Sequence, residues 1–422
     1  MTAVQVRADR RYIRAGYRSN RFLLIEIEAP PATRREGGRP PVNLAFVLDR
    51  SGSMGGAKIE TARRAVEDAL ARLKPEDRFA LVVYDDQVDV VAEGSAASSE
   101  ARRRAIDALS RIDARGSTNL GEGWLRGCEQ VARALSAQGV NRCLLLTDGL
   151  ANVGIIDPRE LERHAAELRE RGVSTSTFGV GADFDERLLQ GMADAGGGHF
   201  YFIETPVQIR DYMTSEVGES LDVVARDVSL EVGVPEGVRV ELLSALESRF
   251  VDAHAEIRLN DLVSEQRQAV VVRLNFPYGE IGRGHAVRVA IHDRFGTFGE
   301  LEAGAIAAPR FEYADDRTND LQPRDVDVDR AVARAFAARV RREALDLNRG
   351  GRFSEAAARL RGVADRIRGY AGADPEMLRI VAELQSDEGS MAAPMAPMAA
   401  KQAFYSSATM ARGRAPDGKA LR

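Results

Sequence analysis

Five oxygen-bearing side chains stand where two predicted strands end and a predicted helix begins. Asp49, Ser51 and Ser53 follow the apolar run NLAFVLD in the stretch NLAFVLDRSGSMGG. Thr118 lies in RGSTNLGEG, ahead of a predicted helix, and Asp148 follows the predicted strand RCLLLT. Carboxylates and hydroxyls are hard ligands that suit Mg²⁺, Mn²⁺ or Ca²⁺, whereas zinc and copper sites draw on Cys and His. The sequence therefore predicts a divalent-cation site made of Asp49, Ser51, Ser53, Thr118 and Asp148.

The elements that must position these residues lie in residues 41–222, where apolar strand-like runs alternate with helical patterns. Strands joined by helical crossovers form a mostly parallel sheet covered by helices, so the predicted fold class is α/β, a doubly wound, Rossmann-like sheet. The run QVDVVA follows VVYDD too closely for a crossover and predicts an antiparallel edge hairpin. In such sheets ligands bind at the carboxyl ends of the strands, where we expect the three polar loops to meet.

The flanking segments predict further modules. Residues 223–315 show the alternation of a β-sandwich, and the strand-like residues 1–40 are too short to form a sheet alone. We therefore expect residues 1–40 to pair with the later module, which makes the α/β domain an insertion. A helical, hairpin-like region is predicted over 325–387, and a flexible tail containing Met, Ala and Pro over 388–422. Within that tail, KQAFYSSATMARGR is a candidate docking segment for a partner or for the protein's own body.

Charge, cysteine content and hydropathy limit the classes of partner and the cellular location that the sequence predicts. The formal net charge is -5, and both signs are interspersed, which argues against nucleic acid or an anionic membrane as the main partner. The cysteines, Cys128 and Cys143, are expected to be buried free thiols. Neither a signal peptide nor a membrane-spanning run is recognisable, so we expect a cytoplasmic protein without direct membrane insertion.

The polar constellation resembles the metal-ion-dependent adhesion site of von Willebrand factor A (VWA) domains. Their D-x-S-x-S motif matches DRSGSM, and the later Thr and Asp match GSTNLG and LLLTDG. The resemblance covers roughly residues 42–220 and is strongest to bacterial cytoplasmic members. It implies that Ser51, Ser53 and Thr118 coordinate the ion directly or nearly so, whereas Asp49 and Asp148 act largely through bound water. Neutral ligands leave the charge of a cation mostly uncancelled, so a partner's carboxylate is expected to complete the site.

The predicted function is a non-enzymatic, divalent-cation-dependent protein–protein interaction that captures an Asp or Glu of the partner. The resemblance makes an AAA+ ATPase, or a complex containing one, a candidate partner. One alternative is a metal-dependent hydrolase, which is disfavoured because no His, Lys or unpaired Glu is expected beside the ion to act as a base. Another is a regulator of a channel or membrane complex, which is disfavoured by the lack of a predicted spanning segment.

Overall fold

The computed structural model describes residues 3–32, 39–137, 139–251, 253–299, 306, 309–415 and 417–422. The chain divides into two compact units, Thr33–Val223 and Met1–Ala32 with Val224–Arg422. Parts of the predicted modules lie outside the described residues, namely 1, 2, 33–38, 138, 252, 300–305, 307, 308 and 416.

The first unit contains a six-stranded sheet in the order β6-β5-β4-β7-β8-β9. Its strands are β4 (Val42–Asp49), β5 (Arg78–Tyr84), β6 (Val88–Ala96), β7 (Val140–Thr147), β8 (Ser174–Val180) and β9 (Gly197–Ile203). All neighbours pair in parallel except β5 and β6, which form the antiparallel edge hairpin that the sequence predicts. The predicted α/β class with a mostly parallel sheet is confirmed.

Helices connect these strands. They are α1 (Ala57–Ala71), α2 (Ser99–Leu109), α3 (Leu120–Ala132), α4 (Pro158–Glu170), α5 (Glu186–Ala195) and α6 (Val207–Ser220), and a 3₁₀ turn, Gly52–Met54, precedes α1. Polar side chains cap several of them: Asn119 accepts a hydrogen bond at the start of α3, as Asp157 does at the start of α4. Every residue of β4 and β7 is buried, which shows that both faces of the sheet centre are covered.

The second unit is built on two four-stranded sheets, ordered β1-β3-β14-β11 and β12-β13-β10-β16, and a three-stranded sheet, β15-β17-β2. Apolar side chains of β3, β10, β13 and β14 share one core, as expected for a sandwich. β3 pairs along its whole length with β14, from Ser19↔Phe276 to Glu28↔Arg267. The strands are β1 (Ala3–Ala8), β2 (Tyr12–Arg14), β3 (Ser19–Glu28), β10 (Val223–Gly233), β11 (Arg239–Leu242), β12 (Ser248–Val251), β13 (His254–Val263), β14 (Arg267–Phe276), β15 (Gly284–Ala286), β16 (Arg288–His292) and β17 (Arg310–Ala314).

The C-terminal part of this unit is helical well beyond residue 387, so the prediction of a flexible tail over 388–422 is wrong for most of that segment. Pro397 starts a helix, a position where a missing N–H costs nothing, and Phe404 and Tyr405 are buried. Arg342 and Arg349 stack on the Phe404 ring, so the segment docks on the protein's own body. The helices are Asp316–Leu321, Val326–Arg349, Phe353–Ala371, Pro375–Met391 and Pro397–Ala411.

The structure bears on the expectations for the cysteines and for membrane insertion. Cys128 and Cys143 are buried and free, and burial raises the pKa of the Cys143 thiol well above its usual value. In the part of the chain that the structure describes, every helix is too short or too polar to cross a membrane.

Phe404→Ala is expected to lower the free energy of unfolding by about 3 kcal/mol, because it removes a buried ring from the helical core and leaves a cavity. Urea unfolding followed by circular dichroism measures the change. Met410→Ala, in the same helix, is the control: its side chain is 42% exposed and its truncation should cost less than about 1 kcal/mol. Equal effects of the two substitutions would contradict the docked position of this helix.

Candidate metal centre

The five residues predicted to bind a cation come from loops at one end of the parallel sheet. Asp49 ends β4, and Asp148 directly follows β7, its neighbour in the sheet. The chain leaves β4 toward β5 on one side, whereas β7 lies on the other side, so strand order reverses between β4 and β7. This is the position where open α/β sheets form a binding crevice.

Hydrogen bonds join four of the five residues into one network. The Asp49 carboxylate accepts from the Ser51 backbone N–H at 2.7 Å, and the Ser51 and Ser53 hydroxyls lie 3.1 Å apart. The Ser53 hydroxyl donates to Asp148 Oδ1 at 2.7 Å. The D-x-S-x-S loop and the end of β7 therefore meet in one cluster of oxygens.

Thr118 joins the cluster through the segment that follows Asp148. A Cβ built on Gly149 would lie 3.4 Å from Thr118 Oγ1 and 3.9 Å from Ser53 Oγ, so both hydroxyls flank the same backbone position. Asn152 holds Thr118 from both sides: its Oδ1 accepts from the Thr118 N–H at 3.0 Å, and its N–H donates to the Thr118 carbonyl at 3.2 Å. The structure thus brings all five predicted residues together.

The charge on Asp49 makes this cluster suited to a cation. Its carboxylate is fully buried, and burial raises its pKa to about 6 even though it accepts hydrogen bonds from Thr147 and Ser51. These donors are neutral, so they leave the negative charge of Asp49 uncompensated. A hard divalent cation among the carboxylate and hydroxyl oxygens would supply the missing positive charge, and the residues present fit such an ion.

Lys58 also belongs to this site, so the expectation that no Lys lies beside the ion is wrong. Lys58 lies in the first turn of α1, and its Nζ donates to Asp148 Oδ2 and, at 3.3 Å, to the Ser53 carbonyl. A signal was available: Lys58 follows Ser53 by five residues, close enough to reach back over the same loop. The lysine offsets part of the negative charge of the site.

An ion-pair cluster centred on the buried side chains of Arg50 and Asp85 fixes the loops around the site. Arg50, inside the D-x-S-x-S motif, donates to Asp85 at 3.0 Å and to Asp89 at 2.5 Å. Arg115 donates to the same Asp85 carboxylate at 2.7 Å. Burial opposes ionisation of Asp85, but hydrogen bonds from Arg115, the Gln87 N–H and Arg50 hold its pKa below the usual value. Asp85 therefore ties the motif loop to the loop that carries Thr118.

A second group of potential ligands lies at the other end of the sheet. Among the described residues, His199, Glu216 and Glu219 place ligand atoms within 4.8 Å of one another. The fully buried Glu216 already accepts from Arg142 at 2.8 Å, from Ser176 and Tyr201 at 2.6 Å each, and contacts His199 Nδ1 at 3.0 Å. Because its oxygens are saturated by protein donors, this group fits a structural ion-pair network better than a metal site.

The sheet topology, together with this convergence of loops, defines the class of protein: an α/β domain of the VWA type. The sequence profile of the von Willebrand factor type A domain matches residues 43–215, and the chain carries such a domain there.

Several curated proteins are similar to this chain over part of their length. YfbK of Escherichia coli K12 is 32% identical over 211 residues, covering 50% of this chain and 36% of YfbK. Inter-alpha-trypsin inhibitor heavy chain 4 of Mus musculus is 32% identical over 162 residues, covering 37% of this chain and 17% of that protein. Protein sll0103 of Synechocystis is 26% identical over 246 residues, with 56% and 57% covered. The matched region thus spans less than two thirds of each relative.

Two solved structures share the fold over most of the chain. The von Willebrand factor type A protein from Catenulispora acidiphila aligns with a TM-score of 0.68 at 19% identity, covering 100% of this chain and 97% of its own. The ArnB paralog VWA2 from Sulfolobus acidocaldarius aligns with a TM-score of 0.56 at 17% identity, covering 92% and 98%. At these identities the likeness establishes the fold alone.

Asp85→Asn is expected to loosen the loop that carries Thr118, because the guanidinium groups of Arg50 and Arg115 lose their shared carboxylate. We expect a loss of about 2 kcal/mol in unfolding free energy and faster hydrogen exchange over residues 113–119, measured by mass spectrometry. Asp113→Asn is the control in the same loop, since its side chain is 94% exposed. Unchanged exchange in Asp85→Asn would show that the cluster does not fix the loop.

Proposed function

We propose that the VWA domain binds a protein partner through a divalent cation held by Asp49, Ser51, Ser53, Thr118 and Asp148. The observation that carries the proposal is the buried Asp49 carboxylate, which faces neutral donors at the point where the three loops converge. A site that lacks positive charge for a buried carboxylate is stabilised by a cation. The hard oxygen donors favour Mg²⁺, with Mn²⁺ or Ca²⁺ as alternatives.

Each residue has a distinct role in the proposal. The hydroxyls of Ser51, Ser53 and Thr118 are the neutral ligands, and the carboxylates of Asp49 and Asp148 supply the negative charge and orient the hydroxyls. Ser53 is exposed, whereas Asp49, Ser51, Thr118 and Asp148 are buried, so the site opens to solvent at the Ser53 side. When bound, the cation supplies a Lewis-acid position that accepts a carboxylate oxygen from an Asp or Glu of the partner.

We propose a binding role and not a catalytic one. The Lys58 ammonium donates to Asp148, and a group that donates in an ion pair is not a free base for activating water. The family resemblance supports a cytoplasmic protein working beside an AAA+ ATPase or its complex, and both remain part of the proposal.

Thr118→Val should weaken Mn²⁺ binding at least tenfold, because it removes one ligand oxygen while keeping the shape of the side chain. Equilibrium dialysis of the full chain with Mn²⁺ measures the affinity, and Asp113→Asn, a charge change on an exposed loop residue, is the control. The same proteins then serve as baits in cell lysate, in Mg²⁺ and in EDTA. We expect a partner captured by wild type and Asp113→Asn in Mg²⁺ and lost in EDTA or with Thr118→Val.

Two results would count against the proposal. If Thr118→Val binds Mn²⁺ as wild type does, the hydroxyl is not a ligand. If the ion binds but the captured partners are the same in Mg²⁺ and EDTA, the cation is structural and the binding surface lies elsewhere.

Lys58→Met is expected to raise the affinity for Mn²⁺ about tenfold, since it removes a positive charge that competes for Asp148. Equilibrium dialysis at low and high ionic strength measures the effect, which should persist at high salt because the contact is partly buried. Lys74→Met is the matched control, because Lys74 is exposed and pairs with Glu76 at 4.0 Å. A weaker ion affinity in Lys58→Met would mean that Lys58 organises the site and does not compete with the cation.

A further inference from the structure

Exposed apolar side chains cluster beside the candidate metal centre. Among the described residues of the α/β unit, five large apolar side chains are at least 36% exposed: Leu135, Leu150, Val153, Ile156 and Val207. Three of these five fall within seven residues, directly after Asp148. We name Leu150, Val153 and Ile156, which are 55%, 36% and 56% exposed, the apolar ridge.

The ridge lies close to the site because its backbone is tied to two of the site residues. Leu150 follows Asp148 by two positions, so their Cα atoms are at most about 7 Å apart. Val153 follows Asn152, whose backbone and side chain both hydrogen-bond to Thr118.

The segment that carries the ridge is fixed on the start of α3. Gly154 has a positive φ of 73°, and a Cβ there would lie 2.5 Å from Asn119 Oδ1, so the backbone packs directly on the helix cap. Further along, Ile155 packs against Gly121 in the first turn of α3. The apolar side chains on this segment are therefore presented to solvent by a backbone that α3 holds in place, which makes the ridge a candidate docking surface.

The charges around the apolar ridge and the metal centre indicate the chemistry of the segment that binds there. The segment 149–156, GLANVGII, has no charged side chain of its own, and Asp157, the acid that follows it, caps the start of α4 by accepting from the Arg159 N–H. A carboxylate that approaches Asp148 and Thr118 along residues 149–156 therefore meets no like charge within that segment. Lys58 adds a positive charge next to Asp148. A ligand that fits both the metal centre and the apolar ridge carries one carboxylate and, a short distance away, an apolar side chain.

We propose that the partner offers a segment in which an Asp or Glu stands within two residues of a Leu, Ile, Val, Met or Phe. The carboxylate takes the cation and the apolar side chain packs on Leu150, Val153 and Ile156. This inference rests on the proposed function, and it adds the sequence chemistry of the partner to it. Partial burial of one Leu side chain on the ridge should strengthen binding about tenfold.

Binding of five-residue peptides to the full chain tests whether an apolar side chain near the carboxylate strengthens binding. The reference is acetyl-Gly-Gly-Asp-Gly-Gly-amide, and in four further peptides Leu replaces each glycine in turn. Each carries a fluorophore, and fluorescence anisotropy measures binding in Mg²⁺ and in EDTA. The ridge variant is Leu150→Ser with Ile156→Ser, and the matched control is Leu135→Ser with Val207→Ser, which alters two apolar residues elsewhere in the unit that are 44% and 76% exposed.

The expected result is Mg²⁺-dependent binding in which at least one Leu peptide exceeds the glycine peptide about tenfold. That gain should vanish in the ridge variant and persist in the control variant. If the glycine peptide binds with Mg²⁺ and no Leu position improves it, or if the ridge variant keeps the gain, the ridge is not the partner's surface while the proposed function stands. If no peptide binds better in Mg²⁺ than in EDTA, the proposed function itself fails.

Discussion

The arrangement at the top of the sheet depends on one buried carboxylate. Asp49 ends β4, one of the two central strands of the sheet, where burial makes its charge costly, and it accepts hydrogen bonds from the Ser51 N–H and the Thr147 hydroxyl. These two bonds connect β4 to the loop that follows it and to the end of β7. A buried charge held in this way orders its surroundings, because the Ser51 N–H and the Thr147 hydroxyl must keep their positions to satisfy it.

The D-x-S-x-S loop is also held by side chains on the side that faces away from the candidate metal centre. Its second residue, Arg50, would place a positive charge next to a cation if it pointed toward the site. Asp85 and Asp89 hold that guanidinium instead, and Arg115 shares the Asp85 carboxylate. The positive and negative charges of this cluster balance, so it positions two loops without opposing an ion in the site. Mechanical support and electrostatic neutrality are thus provided by the same side chains.

Local patterns in the sequence are sufficient to predict the fold class and to predict that the five candidate cation ligands lie together. The run VNLAFVLD is buried along its whole length, and such runs are typical of central parallel strands. Contacts between distant residues were harder to predict. The Met, Ala and Pro content of Pro397–Ala411 is typical of disorder and predicts a flexible tail. The segment is helical instead, because Arg342 and Arg349 hold Phe404 from a helix more than fifty positions earlier. The contact of Lys58 with Asp148 does not follow from sequence spacing, because the two residues are ninety positions apart, whereas its contact with the Ser53 carbonyl spans only five.

The lysine changes the charge balance that a partner would meet. Asp49 and Asp148 bring two negative charges, and Lys58 returns one positive charge, so the three residues together carry a single negative charge. A divalent cation would reverse that sign and leave the site with one net positive charge. Two carboxylates alone would have neutralised the same ion, and the attraction for a further anion would then depend on local geometry alone. With Lys58 in place the charge itself favours a partner's carboxylate.

The uncharged, apolar segment beside the site does not compete with that attraction, because it carries no acid of its own. Electrostatics therefore favours the binding of any carboxylate, and the neighbouring apolar side chains are left to select among the segments that carry one.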